Sequence, residues 1–209
     1  MAAKCTTSFI TALLICSCYQ QVTFTGEILY RHSSFSEATL TYASLTVFPL
    51  ILNGRFDTTP YLSTTRQIAR LKQQRSDLNL FCDSVFASNF AAKYDTAARN
   101  SFYADLIEGN TLALQNNDSA WHTFQTRYLL TLRTGQSAKI HSLQQATKRR
   151  MQLEAEIWDI DSSEVVWRSR INSESMNSSI SDAEFIWQTM CRTFARLPDF
   201  RPAINESEW

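Results

Sequence analysis

Chemistry in a chain of this kind would have to come from its cysteines, histidines and carboxylates, so their types and spacing come first. Cys16 and Cys18 stand two apart in ALLICSCYQQ, residues 12–21. That is a C-x-C spacing with no second Cys or His cluster after it, so it fits neither a zinc site nor a C-x-x-C redox pair. His32, His122 and His141 are scattered, without metal-ligand or nucleophile spacing, and no G-x-S-x-G, P-loop or dinucleotide fingerprint is present. Asp159, Asp161 and Glu164 lie close enough to suggest calcium, but a calcium loop needs more oxygen ligands and a glycine, so they read as turn carboxylates. These residues point to no enzyme, metal or other cofactor; a hydrolase assembled from sequence-distant residues stays open as the least favoured reading.

The amino terminus offers a different chemistry. Met1 to Lys4 is a short positive segment, and Phe9 to Cys16 is an apolar run of about eight residues, near the length of an export signal's apolar region. A membrane-crossing helix needs about 20 apolar residues, so this is a leader and not a span. Ile15-Cys16-Ser17-Cys18 resembles the lipobox that ends bacterial lipoprotein signals: apolar, variable, small, then the acylated cysteine. Cys18 is the better acceptor, because Ser17 before it is small whereas Ile15 before Cys16 is large. The expected mature chain therefore starts at Cys18, with a lipid that holds it to a membrane face. By the same resemblance, Tyr19 in place of an aspartate favours outer-membrane sorting. A plain secretory signal, giving a soluble periplasmic or secreted binding protein, is the alternative. With Cys18 acylated, Cys82 and Cys191 remain; they could pair as a disulfide in an oxidising compartment or stand as two separate core thiols on their apolar stretches.

The elements that must carry these residues are legible in part. The chain has 209 residues, a formal net charge of +0 and 44% hydrophobic residues, enough for one core and without the basic footprint of a nucleic-acid binder. Residues 18–42 read as a tether and the start of the fold. Within residues 43–198, Ala43 to Pro49 reads as a strand, 53–64 as a loop, and 65–75 as a surface helix whose four basic residues form a solvated face. Leu78 to Cys82 reads as a strand. Helical spacing then runs through Val85, Phe86, Phe90 and Tyr94, and again from Phe102 to a stop at Gly109. Asp118 can cap a short helix before the buried strand Tyr128 to Leu132.

The clearest pattern is MQLEAEIWDIDSSEVVWRSRI, residues 151–171. Met151, Leu153, Ala155 and Ile157 alternate with Gln152, Glu154 and Glu156, which predicts a strand with one buried and one wetted face. Asp161 and the serines turn the chain and Val165 to Ile171 returns, an antiparallel hairpin. Ser181 with Glu184 three residues on has capping-box spacing, and Ile186, Trp187, Met190, Cys191, Phe194 and Leu197 follow on one helix face before Pro198. Residues 199–209 read as a tail.

A strand ending in Val-Phe-Pro, a Tyr-Leu-Leu strand, this hairpin and a helix ending in Leu-Pro together resemble the curli-secretion (CsgG-like) lipoprotein superfamily. That group includes penicillin-binding-protein activator lipoproteins and the amino-terminal domain of TolB. Ser163 stands where those hairpins usually have glycine, and the long pore-forming segments of the secretion channel are absent. The resemblance implies a single α/β domain, a mixed sheet with a C-terminal antiparallel hairpin flanked by helices. It also implies use in binding another envelope protein or in self-assembly.

Overall fold

The computed structural model describes residues 22–40, 43–134, 138–141, 147–176 and 180–197. In chain order its elements are β1 (Thr23–Arg31), α1 (Glu37–Leu40), β2 (Ser44–Val47), β3 (Ile51–Leu52), β4 (Arg55–Phe56), α2 (Thr64–Gln74), β5 (Asn79–Cys82) and α3 (Asp83–Lys93). They continue with α4 (Thr96–Glu108), α5 (Thr111–Gln115), α6 (Asp118–Trp121), β6 (Tyr128–Thr134), β7 (Ala138–His141), β8 (Thr147–Asp159), β9 (Glu164–Ser175) and α7 (Asp182–Ala195). The strands form one sheet in the order β1-β9-β8-β6-β2-β5, with β3, β4 and β7 joined at its sides. β2 runs parallel to β5 and β6, whereas β6 with β8, β8 with β9 and β9 with β1 pair antiparallel. This is the expected mixed α/β domain.

Both faces of the sheet are covered. On one, Leu71 of α2 and Met190 and Phe194 of α7 pack on Leu45, Val47, Leu130, Leu153, Ala155 and Ile157. On the other, Phe86 and Phe90 of α3, Phe102 and Leu106 of α4, and Trp121 of α6 enclose Phe48, Leu129 and Trp158. The second core is mostly aromatic: Trp121 stacks on Trp158 with ring centroids 5.4 Å apart, and Phe86 on Phe124 at 3.9 Å. Fully burying one such side chain contributes about 1.5–3 kcal/mol, so each face is a core in its own right.

That double cover corrects the reading of the hairpin's polar face as wetted at one position, Glu156, while Gln152 and Glu154 stay part-exposed. Glu156 is 3% exposed, and its carboxylate is met by Arg168 Nε at 2.8 Å and Arg133 Nη1 at 3.7 Å. Arg133 also donates to the carbonyls of Leu106 (2.8 Å) and Ile107 (3.1 Å), satisfying the last turn of α4. Gly109 ends that helix in the left-handed region, φ 71°, as the sequence indicates.

The hairpin turn also differs in detail. Its side-chain-to-backbone bond comes from Asp159, whose Oδ1 accepts the Asp161 N–H at 3.0 Å, and not from Asp161. Asp161 instead pairs with Arg127, which also meets Asp159 at 2.7 Å. Ser163, at the place of the usual glycine, takes that residue's conformation, φ 55°. Within 53–64, Asn53 and Gly54 both have positive φ, 52° and 74°, and form the two-residue turn that joins β3 to β4. At the start of α7, Ser181 accepts the Glu184 N–H at 3.1 Å. The Glu184 carboxylate does not close the reciprocal half of a capping box; it meets the Tyr61 hydroxyl and Gln188 Nε2. Among the described residues no helix is long and apolar enough to cross a membrane.

Candidate functional site

Cys18, the expected acylation site, lies outside the described residues. The first described residue, Val22, is already buried, and β1 follows at once. Cys82 and Cys191 both carry free thiols and are only half-buried. Cys82 ends β5, where its thiol donates to the Asp83 carboxylate at 3.2 Å. Cys191 lies on α7. His32 Nδ1 is 2.7 Å from Ser34 Oγ, and His122 is an exposed residue just past α6. Among the described residues no three His, Cys, Asp or Glu side chains converge in a way that could hold a metal.

What the fold does assemble is a groove of about 640 Å³ between α2 and α7, with Phe24 of β1 at its side. On α2, Ile68 and Leu71 face the core, and that orientation sends Arg66 and Arg70, one turn apart, to the groove. Arg192 comes to it from α7. The helix expected over 65–75 is present as α2, and its basic residues all reach solvent in different degrees. Lys72 is exposed, but Arg75 forks onto Asp77 at 2.8 and 2.7 Å, while Arg66 and Arg70 line a concavity.

Arg66 is fixed. Its guanidinium carbon lies 3.9 Å from the Tyr61 ring centroid and 4.1 Å from that of Trp187, and Nη1 donates to the Tyr61 carbonyl at 2.9 Å. Arg70 Nη1 donates to Gln73 Oε1 at 3.1 Å, while its Nε is shielded and has no acceptor. Gln74 Nε2 donates to the Cys191 carbonyl at 3.4 Å, tying the two helices together. Burial pushes the Cys191 thiol above its ordinary pKa, with Arg70 and Arg66 pulling the other way. Cys191 is therefore a protonated lining group at neutral pH. Only the periodicity of α2 could have signalled the groove: with Ile68 and Leu71 inward, Arg66 and Arg70 share a neighbouring stripe.

A second exposed feature is β1 itself. Among the described residues it is an edge strand of nine residues, paired with β9 on one side only. Ile28, Leu29 and Tyr30 are 60%, 38% and 44% exposed. A bulge between Ile28 and Tyr30 interrupts the register, but the strand has no proline or lysine to discourage pairing. Gly26 leaves room for Arg196 to cross it: a Cβ there would lie 2.3 Å from the Arg196 guanidinium.

No protein-family model matches the chain, and no curated protein matches it in sequence. Several solved structures are similar to it in shape. The PelC dodecamer from Paraburkholderia phytofirmans has a TM-score of 0.41 and 11% identity, over 83% of this chain and 94% of that one. Lipoprotein GNA1162 from Neisseria meningitidis has a TM-score of 0.42 and 12% identity, over 74% and 99%. The hypothetical protein CT253 from Chlamydia trachomatis has a TM-score of 0.43 and 8% identity, over 74% and 94%. At these scores and identities, the likenesses assign neither a family nor a function to the chain.

Proposed function

We propose that this chain is an envelope lipoprotein of the kind its hairpin resembles, anchored through an acylated Cys18, and that it works as a non-catalytic binding or assembly factor. The observation that carries the reading is the open edge of β1, placed directly after the anchor. Three residues lie between Cys18 and buried Val22, four Cα-to-Cα steps or a tether of at most about 14 Å, so an acylated Cys18 holds β1 close to the membrane face. An edge strand with exposed apolar residues offers its unpaired N–H and C=O groups to a strand of another molecule, an envelope protein or a second copy.

The test has two readouts. Palmitate labelling and the mass of the mature amino terminus should show an acylated Cys18, lost in Cys18→Ala; an unmodified chain in the soluble fraction would remove the anchor and leave a soluble binding protein. Ile28→Lys should then abolish co-purification of a partner, or self-association, in membranes where Cys18 is still acylated. Unchanged association would remove β1 as the pairing edge.

A further inference from the structure

Along the amino-terminal half of β8 the aromatic helix layer gives way, among the described residues, to open sheet. Gln152 stands opposite Asn172 of β9, and Asn172 opposite Thr25 of β1, so one row across three strands carries two amides and a hydroxyl on the same face. Asn172 and Thr25 are exposed and Gln152 is half-buried. Among the described residues none of these three side chains has a hydrogen-bond partner. The rows on either side are charged and internally paired. Arg150 meets Glu174 at 2.8 Å, and Arg170 meets Glu154 at 2.8 Å and Glu27 at 3.3 Å. The amide row and the Arg150–Glu174 pair line a cleft of about 430 Å³, with Thr23 and Thr25 at its β1 side. β9, which carries Asn172, is paired with β8 on one flank and β1 on the other, so the row sits on a rigid element.

We infer that this cleft binds a neutral sugar, its hydroxyls held by the Gln152 and Asn172 amides and the Thr25 hydroxyl. A side-chain amide presents a donor and an acceptor side by side, and each sugar hydroxyl is both, so one ligand group satisfies either end. Charge selects against ions: Arg150 and Glu174 neutralise each other, and an ion in the cleft meets both signs at nearly equal range. An apolar ligand would cover three polar groups and return no hydrogen bond to them. Neighbours within a row stand about 5 Å apart and successive rows about 7 Å apart, so a flat ring with hydroxyls on its rim bridges the amide row and the ion-pair row. The site lies on the face of the sheet and not on the backbone edge of β1. It needs neither acylation of Cys18 nor a strand partner.

The experiment is an NMR titration of the isotope-labelled full chain with maltotriose, cellobiose and diacetylchitobiose, read from the side-chain amide signals of Gln152 and Asn172. Each signal is assigned by its loss in Gln152→Ala or Asn172→Ala. At least one sugar should shift both signals along a saturating curve, half-complete below about 10 mM, whereas sodium phosphate and tetramethylammonium chloride should shift neither. Asn172→Ala, followed through the Gln152 signal, should weaken binding roughly fivefold, the effect of one neutral hydrogen bond. Asn172 is exposed, so that variant should melt with the wild type; Gln152→Ala, followed through the Asn172 signal, supplies the same test if it does not. Ile28→Lys, which blocks strand pairing on β1, should leave sugar binding unchanged, so the pairing edge and the cleft stand or fall separately. The proposal fails if no sugar shifts either signal up to about 50 mM, or if phosphate shifts them as strongly as the best sugar. It also fails if Asn172→Ala binds as tightly as the wild type.

Discussion

Replacing Glu156 by glutamine keeps the shape of the side chain and removes its charge, which isolates what the buried carboxylate contributes. The sheet register places Arg168 and Thr131 opposite Glu156 on its two neighbouring strands. Arg133 approaches from two residues along β6 and continues to the last carbonyls of α4. The carboxylate thus ties β8 to β9, to β6 and, through Arg133, to the helix layer. Removing one partner of a buried ion pair costs about 3–5 kcal/mol. Here the side chains of Arg133 and Arg168 keep 20% and 33% of their exposure, so water takes up part of the orphaned charge. Arg133 also keeps its bonds to Leu106 and Ile107. The expected loss is therefore about 2 kcal/mol. At a urea dependence of about 2 kcal/mol per molar, the midpoint should fall by roughly 1 M. Urea titrations of wild type, Glu156→Gln, Arg168→Met and the double variant, followed by circular dichroism, complete a cycle whose coupling should reach about 1 kcal/mol. A single-variant loss under about 0.5 kcal/mol with additive effects would refute this account.

Two further outcomes follow from local geometry. Gly109→Ala should lower stability by about 1–2 kcal/mol in thermal unfolding, because φ is 71° there and the new Cβ would lie 2.9 Å from the Arg133 guanidinium. The Asp77 carboxyl is held below its ordinary value of 3.8, first by its hydrogen bond from Arg75, with partial burial opposing. A carboxyl depressed in the folded state adds stability that is present above its unfolded value and lost as pH falls through the folded one. Asp77→Asn should therefore melt below wild type at neutral pH, with the gap closing below about pH 4; a gap constant with pH would refute the assignment.

How much of this was legible in the sequence depends on how many faces of an element are covered. The hairpin was readable because Met151, Leu153, Ala155 and Ile157 keep a strict period of two on the face under α7. The same rule misjudged Glu156, since alternation of polar and apolar residues reports hydrophobicity and not accessibility. A charged residue under an aromatic helix layer is indistinguishable in sequence from one in water until its partners, Arg133 and Arg168, are known to lie beside it. Strand β1 escaped for the opposite reason. As an edge with nearly every side chain exposed, Thr23 to Arg31 has no buried row to impose a period. Its membership rests on backbone pairing with β9, which leaves little trace in residue type. The helix α5, five residues capped by Asn110, is too short to show a period at all.

The arginines of α2 show where such reading ends and geometry must take over. Helical period placed Ile68 and Leu71 inward correctly, and it left four cations to share the remaining surface. What that surface meets is decided by an element over a hundred residues later: Trp187, Cys191 and Arg192 of α7 turn one stripe of α2 into a groove wall, and leave Lys72 in solvent. Arg66 is held by an aromatic clamp contributed half by the loop before α2 and half by α7, so neither segment alone encodes it.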